Sequence, residues 1–562
     1  MTTLDRRSFL GAAAAGGAAL LARGSRRCGS ALADSRIEVL LGEPIGTIAP
    51  EIYGHFVEHL GGVVYGGIWV GEDSPIPNVG GIRRDLADAL RRVKPSVVRW
   101  PGGCFADSYD WRDGVGPRDK RPRRSSLWGN DPRFDSLGDI PARYEPNAFG
   151  TSEFMRFCRL VGAQPYLAAN VRTLPAEAFV QWLDYCNAPA GATTLADLRG
   201  SDGSRDPYGV RFWGIGNESW GCGGNFRPEE YAEEFRRFTT WGIPAFGVKL
   251  AFVGSGPNGG DVDWTRRVFA ALAERDAIGT MWGWALHHYA GAGGAGADAV
   301  AFDDRGWYDL LASADRMDAL IAMHWQVMRE SDRDHTVKLV VDEWGAWHDT
   351  KPLEDPSHLF ESQSTMRDAL VAGLTLDTFN RQADKVAMAC DAQLVNCIQS
   401  LFLADGARMI TTPTYHVFDL YQGHQGARAV RTEFSAPDVS WADAEGHGHA
   451  LWGLQGSASV APAGGVASGN GPASGGGTLT LTVTNPHLSD PRTAEIAVRG
   501  GTPRGVRATV LSAADVHAVN TFDHPDAVAP RPAAAPAVTA GQPLVFTFPA
   551  ASVTRLDIVL GS

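Results

Sequence analysis

Short apolar runs alternate with amphipathic stretches along the chain from residue 52 to about residue 423. The runs are rich in β-branched and aromatic residues, which favours strands, whereas the stretches between them repeat apolar positions with a helical period. Eight such pairs of strand and helix predict an α/β fold, a (β/α)8 TIM barrel over residues 52–423. The predicted strands are Ile52–Glu58, Ser96–Trp100, Gln164–Ala168, Arg211–Ile215, Lys249–Val253, Met281–Leu286, Val337–Val341 and Val386–Cys390.

The hydrophobic pattern changes after residue 423, where helical periodicity disappears and apolar residues alternate with polar ones. Segments such as Thr478–Val483 and Leu544–Phe548 are typical of half-buried strands. Several short strands separated by turns predict a jelly-roll-like β-sandwich over residues 424–562. Residues 34–51 carry one more strand pattern, and we expect this segment to join the sandwich and to tie the two domains together.

The first 33 residues have the pattern of an export signal. A twin-arginine motif, Arg6-Arg7-Ser8-Phe9-Leu10, precedes an apolar stretch from Gly11 to Ala22, and Ala31-Leu32-Ala33 offers small residues for cleavage. The apolar stretch is too short to span a membrane. The sequence therefore predicts a twin-arginine signal peptide over residues 1–33 and an exported protein, extracellular or periplasmic, with no membrane partner.

Charge and cysteine content narrow the range of partners. The formal net charge of −13 argues against a nucleic-acid partner, which would require a basic face. The seven cysteines form no Cys-x-x-Cys pair, so zinc and thioredoxin-like chemistry have no signature. Asp131, Asp135 and Asp139 lack the spacing of a calcium loop. We expect no metal, no cofactor and mostly free thiols, because twin-arginine cargo folds in the reducing cytosol.

Carboxylates follow two of the predicted barrel strands. Gly216-Asn217-Glu218 follows the fourth strand, and Asp342-Glu343 follows the seventh. Barrel enzymes place catalytic groups at the C-terminal ends of their strands, so both glutamates are expected on one face. A single acid at a strand end usually pairs with an arginine or caps a helix, but two facing carboxylates are what glycosidic cleavage requires. Neighbouring tryptophans can exclude water and keep an acid protonated.

Six segments of the predicted barrel carry the most specific motifs of the chain. They are Tyr53–Gly61, Arg99–Asp107, Phe212–Gly224, Val341–Gly345, Ala392–Asn396 and Thr412–Phe418. Together they resemble glycoside hydrolase family 51, and the resemblance runs from about residue 36 to the end of the chain. It implies an α-L-arabinofuranosidase that releases terminal α-L-arabinofuranosyl residues from arabinose-containing polysaccharides or oligosaccharides. It also implies a homo-oligomer, often a hexamer.

The resemblance assigns roles to residues at matching positions. Glu218 matches the acid/base and Glu343 the nucleophile of a double displacement that retains configuration, with the two carboxyl groups roughly 5 Å apart. Asn217 matches the residue that binds the sugar 2-hydroxyl, and Tyr289 would hold the nucleophile by a hydrogen bond. His287 is either a buried core histidine or part of the site. The residues that would shape the furanose subsite are Glu58, Arg99, Cys104, Tyr289 and Gln393, with Trp128 as a wall.

Three alternatives remain open from the sequence. The same chemistry could serve β-xylosides or a glucan, because an arabinofuranose and a xylopyranose share much of their stereochemistry. A non-catalytic carbohydrate-binding wall protein would belong to another class, since function belongs to sites and not to folds. The sandwich could be a separate carbohydrate-binding module, although we expect a structural role. Residues 130–144 look inserted after the second strand, and could narrow the cleft or add a leaving-group subsite.

Overall fold

The computed structural model describes residues 33–240, 242–349, 356–443, 445–462 and 477–561. These ranges belong to one unit that begins at Ala33. The predicted signal segment, apart from Ala33, lies outside the described residues. No helix in the described ranges is long and apolar enough to cross a membrane.

Eight parallel strands close into a barrel, which confirms the fold predicted from the hydrophobic pattern. The last strand pairs with the first, so that Cys390 lies beside Gly54 and the ring has no free edge. Apolar side chains such as Phe56, Tyr166 and Met388 fill the interior. The barrel strands are Gly54–Phe56, Val97–Trp100, Gln164–Ala169, Phe212–Ile215, Ala251–Gly254, Met281–Ala290, Lys338–Ala346 and Val386–Ala392.

Helices surround the barrel, and local sequence determines where they begin. The helix Met366–Arg381 starts with a capping box, in which Thr365 and Asp368 each bond the other's backbone. Nearly all of its residues are buried, as expected for a helix covered on both sides. The α-helices of the described residues are Arg84–Val93, Thr151–Val161, Ala176–Asn187, Thr194–Ser201, Pro228–Phe238, Val262–Ala273, Asp304–Met328, Met366–Arg381 and Pro413–Tyr421.

A long connection follows the second barrel strand and contributes to the catalytic face. It folds as a series of short 3-10 turns and contains the segment that looked inserted, residues 130–144. This segment is anchored by the fully buried Phe134, whose carbonyl accepts a hydrogen bond from the Arg143 guanidinium at 2.7 Å. The 3-10 turns are Ala106–Ser108, Trp111–Gly114, Arg118–Lys120, Trp128–Asn130, Pro132–Leu137 and Pro141–Arg143.

A nine-stranded sheet makes up most of the rest of the chain. Its inward positions alternate with exposed ones, as in Leu544–Phe548, and the inward side chains of strands along its whole width form one apolar core. The N-terminal strand lies inside this sheet, parallel to one neighbour and antiparallel to the other. In spatial order the strands are Arg531–Ala533, Thr502–Leu511, Ser552–Gly561, Gly477–Asn485, Gln455–Pro462, Arg428–Ser435, Ser35–Thr47, Arg492–Arg499 and Leu544–Phe548.

A buried polar network joins the barrel to the sheet. Asp377, on the helix Met366–Arg381, accepts hydrogen bonds from the hydroxyls of Ser457 and Thr482, both at 2.6 Å, and of Tyr421 at 2.8 Å. Burial raises the pKa of Asp377 to about 6, although the three hydroxyls favour the charged form. A buried polar network whose hydrogen bonds are all formed favours one arrangement of the helix against the sheet. This agrees with a structural role for the sheet.

Candidate active site

The turn after the fourth barrel strand places Glu218 over the barrel mouth. Gly216 and Glu218 both have left-handed backbone conformations, with φ of 81° and 39°. The backbone N–H of Asn217 donates to Asp107 Oδ2 at 3.0 Å, and Asp107 Oδ1 accepts from Val171 N at 2.7 Å. Burial raises the pKa of Asp107 to about 7. The buried Asp107 carboxyl therefore stabilises a turn whose left-handed backbone conformation is otherwise unfavourable for any residue but glycine.

Glu343 lies within the seventh strand and is held by two donors. Arg99 Nη1 donates to Glu343 Oε1 at 2.7 Å, and the Tyr289 hydroxyl donates to Oε2 at 2.9 Å. The other terminal nitrogen of Arg99 donates to Asn217 Oδ1 at 2.6 Å. One buried guanidinium thus sets the orientation of Glu343 and of the amide beside Glu218. The structure thus brings Tyr289, Arg99 and Asn217 together beside Glu343.

His287 stands between the two glutamates. Its Nδ1 lies 3.0 Å from Glu218 Oε1 and 3.5 Å from Glu343 Oε2, and its Nε2 lies 3.1 Å from Asp342 Oδ1. Burial alone would lower the pKa of His287, but the neighbouring carboxylates raise it to about 10. One oxygen of each glutamate and a ring nitrogen of His287 lie within 4.8 Å of one another. His287 is therefore part of the site, which the sequence left undecided.

Asp342 completes the charge balance beneath the glutamates. Its Oδ2 lies 3.3 Å from Arg99 Nε and accepts from the Tyr166 hydroxyl at 2.8 Å. Burial alone would raise the pKa of Asp342, but Arg99 and His287 lower it. The two cations Arg99 and His287 therefore balance the two anions Asp342 and Glu343. A neutral Glu218 leaves this group of five without net charge.

Glu58, at the end of the first strand, lies on the other side of the pocket. Its Oε1 accepts from Phe105 N at 2.9 Å and from Trp128 Nε1 at 3.0 Å. Gln393 Nε2 donates to Oε2 at 3.3 Å, and Gln393 Oε1 accepts from the Glu58 backbone at 3.1 Å. Burial and the nearby charge of Glu343 raise the pKa of Glu58 to about 7. Glu58, Gln393 and Trp128 thus form one bonded wall.

Comparison with known proteins points to one enzyme family. Models described as "Alpha-L-arabinofuranosidase 1 domain" and "Alpha-L-arabinofuranosidase C-terminal domain" match residues 89–241 and 342–552. An intracellular exo-α-L-arabinofuranosidase of Bacteroides ovatus is 34% identical over 91% of this chain and 93% of its own length. The crystal structure of the GH51 arabinofuranosidase from Xanthomonas axonopodis pv. citri matches with a TM-score of 0.84 and 36% identity, over 94% of this chain and 100% of that one.

The chain belongs to glycoside hydrolase family 51. The resemblance of the six sequence motifs is confirmed by these matches, which extend well beyond the motifs. An intracellular exo-α-(1→5)-L-arabinofuranosidase 1 of Bacillus subtilis is also similar, at 29% identity over 71% of this chain and 77% of its own length.

The family 51 relatives overturn one prediction from the sequence. Export by the twin-arginine route was expected from residues 1–33, but the proteins of Bacteroides ovatus and Bacillus subtilis are both named intracellular. The prediction of export and of an extracellular or periplasmic location is therefore wrong. An arginine pair before small apolar residues is a short pattern of low specificity, and Asp5 stands where a serine or threonine is usual before that pair.

A disulfide next to Glu218 was not expected. Cys104 and Cys222 are bonded across 118 residues, and Cys222 Sγ lies 3.7 Å from Glu218 Oε2. The expectation of mostly free thiols is wrong for this pair, because the loops after the second and fourth strands meet over the barrel. Cys104 therefore borders the pocket as half of a disulfide, rather than as a free thiol. The other described cysteines are free and buried: Cys158, Cys186, Cys390 and Cys397.

Aromatic rings extend the pocket on the side of the seventh strand. Trp347, which is 39% exposed, packs edge-on against Tyr289 at 5.0 Å and against Phe360 at 5.0 Å between ring centroids. Phe360 in turn meets Trp128 at 5.8 Å. Trp347 was not predicted from the sequence, although its position directly after the seventh strand and four residues after Glu343 was a usable signal.

Three groups of side chains among the described residues bring possible metal ligands within 4.8 Å. One includes the disulfide sulfurs, one consists of Glu218 and Glu343 with His287, and one lies on an exposed hairpin. Glu218 belongs to both of the first two groups. Of the three aspartates in the segment 130–144, Asp139 accepts a hydrogen bond from the Tyr144 hydroxyl at 2.6 Å. The groups are Cys104, Glu218 and Cys222; Glu218, His287 and Glu343; and Asp443, Glu445 and His447.

Proposed function

We propose that this family 51 enzyme releases terminal, non-reducing α-L-arabinofuranosyl residues from arabinose-containing polysaccharides or oligosaccharides by a retaining double displacement. The observation that carries the proposal is the close approach of the two catalytic carboxylates, with one oxygen of Glu218 and one of Glu343 within 4.8 Å. Retaining glycosidases hold their carboxyl groups about 5–5.5 Å apart, whereas inverting enzymes leave a gap of about 6.5–9.5 Å for water.

In the first step, Glu343 attacks the anomeric carbon and the bond to the leaving oxygen breaks. Glu218 gives its proton to that oxygen. Arg99 and Tyr289 hold the attacking carboxylate by hydrogen bonds at 2.7 Å and 2.9 Å, so little rotamer freedom is lost in the transition state. Asn217, oriented by Arg99, is placed to bond the 2-hydroxyl of the sugar.

In the second step, water attacks the glycosyl-enzyme and Glu218 takes a proton from it. Glu218 is then neutral again and Glu343 is restored as an anion. His287 stays between the two carboxylates through both steps, and its charge compensates the negative charge that moves from one to the other. The same carbon is displaced twice, so the product keeps the configuration of the substrate.

Two variants test the roles. Glu343→Ala should abolish turnover of every substrate, whereas Glu218→Ala should retain much of the glycosylation rate on an aryl leaving group that needs no proton. Azide should restore turnover in each variant, giving the glycosyl azide of retained configuration with Glu218→Ala and of inverted configuration with Glu343→Ala. Equal losses on activated and natural substrates in both variants would contradict the assignment, as would an inverted first product from the unmodified enzyme.

The sugar is tested by paired assays with an aryl α-L-arabinofuranoside and an aryl β-xyloside. Similar kcat/KM values on both, or a preference for the xyloside, would favour the alternative in which the same chemistry serves another sugar. Binding of arabinan without release of reducing sugar by the wild-type chain would instead favour a non-catalytic wall protein. Product analysis on arabinan and arabinoxylan then identifies the natural polymer.

We also infer that the enzyme assembles as a homo-oligomer, a hexamer by family resemblance. Size-exclusion chromatography with light scattering measures this directly from the mass in solution. A monomeric mass, near the 60.1 kDa of one chain, would contradict the inference.

A further inference from the structure

A second cleft lies on the flank of the barrel, where helices Asp304–Met328 and Met366–Arg381 meet the nine-stranded sheet. Its volume is about 570 Å³, within the range of about 300–1,000 Å³ typical of small-molecule sites. Trp452 borders it and is 57% exposed, a large fraction for an indole ring. The polar side chains that line the cleft are Asp315, Asp318, Arg381, Thr432, Glu433 and Gln455.

The position of Trp452 is fixed by contacts on both sides of it in the sequence. Before it, Trp441 Nε1 donates to Asp309 Oδ1 at 2.7 Å. After it, Gln455 Nε2 donates to Asp315 Oδ1 at 2.8 Å. Both aspartates lie on the helix Asp304–Met328, so the described residues on both sides of Trp452 are attached to that helix.

The cleft is separate from the catalytic pocket. Helix Asp304–Met328 follows the sixth strand, so its first residue lies near the catalytic face. Asp315 lies eleven residues further along, which is about 16 Å of helix. The described lining of the cleft contains none of the residues assigned to the catalytic pocket.

The polar groups of the cleft are held in place with hydrogen-bonding capacity to spare. Arg381 uses Nη1 on the Gly456 carbonyl at 2.9 Å and Nη2 on Thr378 Oγ1 at 3.0 Å. Asp318 Oδ1 accepts from Gln382 Nε2 at 2.8 Å. Among the described residues, Asp315 and Asp318 each accept one of these hydrogen bonds on a single carboxylate oxygen. The Arg381 guanidinium keeps N–H groups beyond its own two bonds.

Ring and polar groups together point to one class of ligand. An exposed indole offers an apolar face for the C–H groups of a sugar ring, and carboxylates, amide and guanidinium side chains bond its hydroxyls. Glu433 is paired with Arg431. The two remaining carboxylates, Asp315 and Asp318, outnumber the Arg381 guanidinium, which disfavours an anion such as a phosphate. The arrangement therefore fits a neutral, hydroxyl-rich ligand.

We propose that this cleft is an accessory binding site for a neutral saccharide chain, with Trp452 as its stacking platform. The site would hold a distant part of the same polymer whose terminal residue enters the catalytic pocket. The choice of an arabinose-containing polymer as the ligand rests on the proposed function. The existence of the site is inferred from the cleft and its lining residues. Multivalent attachment of this kind raises the effective concentration of chain ends at the catalytic pocket.

The test compares the full-length wild-type enzyme with Trp452→Ala and with Phe246→Ala, a matched control at another exposed aromatic ring, 37% exposed. Affinity electrophoresis in gels containing arabinan or arabinoxylan measures retention by the polymer. We expect Trp452→Ala to weaken retention and raise KM on the polymer by about three- to tenfold, the loss expected for one aromatic stacking contact. Its kcat/KM on an aryl arabinofuranoside should equal that of wild type, and Phe246→Ala should change neither value. Asp318→Ala should weaken retention in the same direction.

Two outcomes would overturn the proposal. One is unchanged polymer retention in Trp452→Ala. The other is a change of sedimentation coefficient in Trp452→Ala, which would identify a second copy of the chain as the occupant of the cleft. Failure of the proposed function would look different, because the wild-type enzyme would then not hydrolyse the aryl arabinofuranoside, whereas retention in the gel would still report on the cleft.

Discussion

His287 lies between Glu218 and Glu343, the two glutamates of the proposed mechanism, and its replacement tests the electrostatics of the site. Its Nδ1 lies 3.0 Å from Glu218 Oε1 and 3.5 Å from Glu343 Oε2. Two unit charges at such a separation interact by roughly 5 kcal/mol at an effective dielectric constant of about 20. Since about 1.4 kcal/mol corresponds to one pH unit, this interaction limits the shift of the pH profile to about 4 units, and neighbouring charges usually act by about 1–3 units.

The change His287→Gln keeps a hydrogen-bonding side chain and removes the charge. Burial alone would lower the pKa of His287, but the charges of the surrounding carboxylates raise it to about 10, so the ring is protonated throughout the neutral range. Removing the cation takes away a favourable charge interaction with the carboxylates around it. Both limbs of the pH profile of kcat/KM should therefore move to higher pH, by about 1–3 units.

The assay is hydrolysis of an aryl α-L-arabinofuranoside from about pH 3 to about pH 10. The matched control is His288→Gln, because the His288 ring bonds the Ser313 carbonyl at 2.8 Å and lies away from the glutamates. This control should leave both limbs in place. Limbs that stay where they are in His287→Gln, or that move to lower pH, would refute the reasoning if thermal unfolding shows that the variant is folded.

Three further changes probe the disulfide, the junction and the pocket floor. Serine at both Cys104 and Cys222 should lower the free energy of unfolding in urea by about 2–4 kcal/mol, with no further loss when a thiol reductant is added. Burial raises the pKa of Asp377 to about 6 from its ordinary 3.8, so wild-type stability should decline as pH rises through that interval, and Asp377→Asn should lack this decline in denaturation curves. Gly103→Ala would place a methyl group 2.8 Å from the nucleophile oxygen, whereas the nearest atom to an added carbon in Gly221→Ala is 3.7 Å away. We expect kcat to fall about 100-fold or more in the first and to persist in the second.

The barrel, and the position of Glu218 and Glu343 on one face of it, could be predicted because both depend on local pattern. Apolar runs with intervening helical periods give the strands, and the strands place whatever follows them on one face. Glu218 and Glu343 could therefore be placed near each other without knowing which strands are neighbours in the barrel. Glu58 and Gln393, at the ends of the first and eighth strands, come from the same logic together with motif resemblance, and the structure brings them to the same wall of the pocket.

Features that depend on distant loops could not be predicted in the same way. The bond between Cys104 and Cys222 joins loops of two strands that are not neighbours in the barrel, and no spacing rule relates them. The acceptor role of Asp377 depends on hydroxyls at Ser457 and Thr482, which only the packed sheet brings near. Sequence alone shows these residues as ordinary polar positions on a helix and on strands.

Glu218 and Glu343 lie in different surroundings, and these surroundings agree with the roles proposed for them. Glu343 is nearly enclosed, with 8% of its side chain exposed, and receives hydrogen bonds from the Arg99 guanidinium and the Tyr289 hydroxyl. Those donors stabilise a carboxylate, which is what a nucleophile must be. The Glu218 side chain is 21% exposed and lies against the Cys222 sulfur. Among the described residues, the cation in contact with it is His287, which also lies near Glu343. Because Arg99 and His287 already balance Glu343 and its neighbouring aspartate, a third negative charge at Glu218 would be uncompensated. In the proposed mechanism, two chemically equal side chains therefore take different roles because their environments differ.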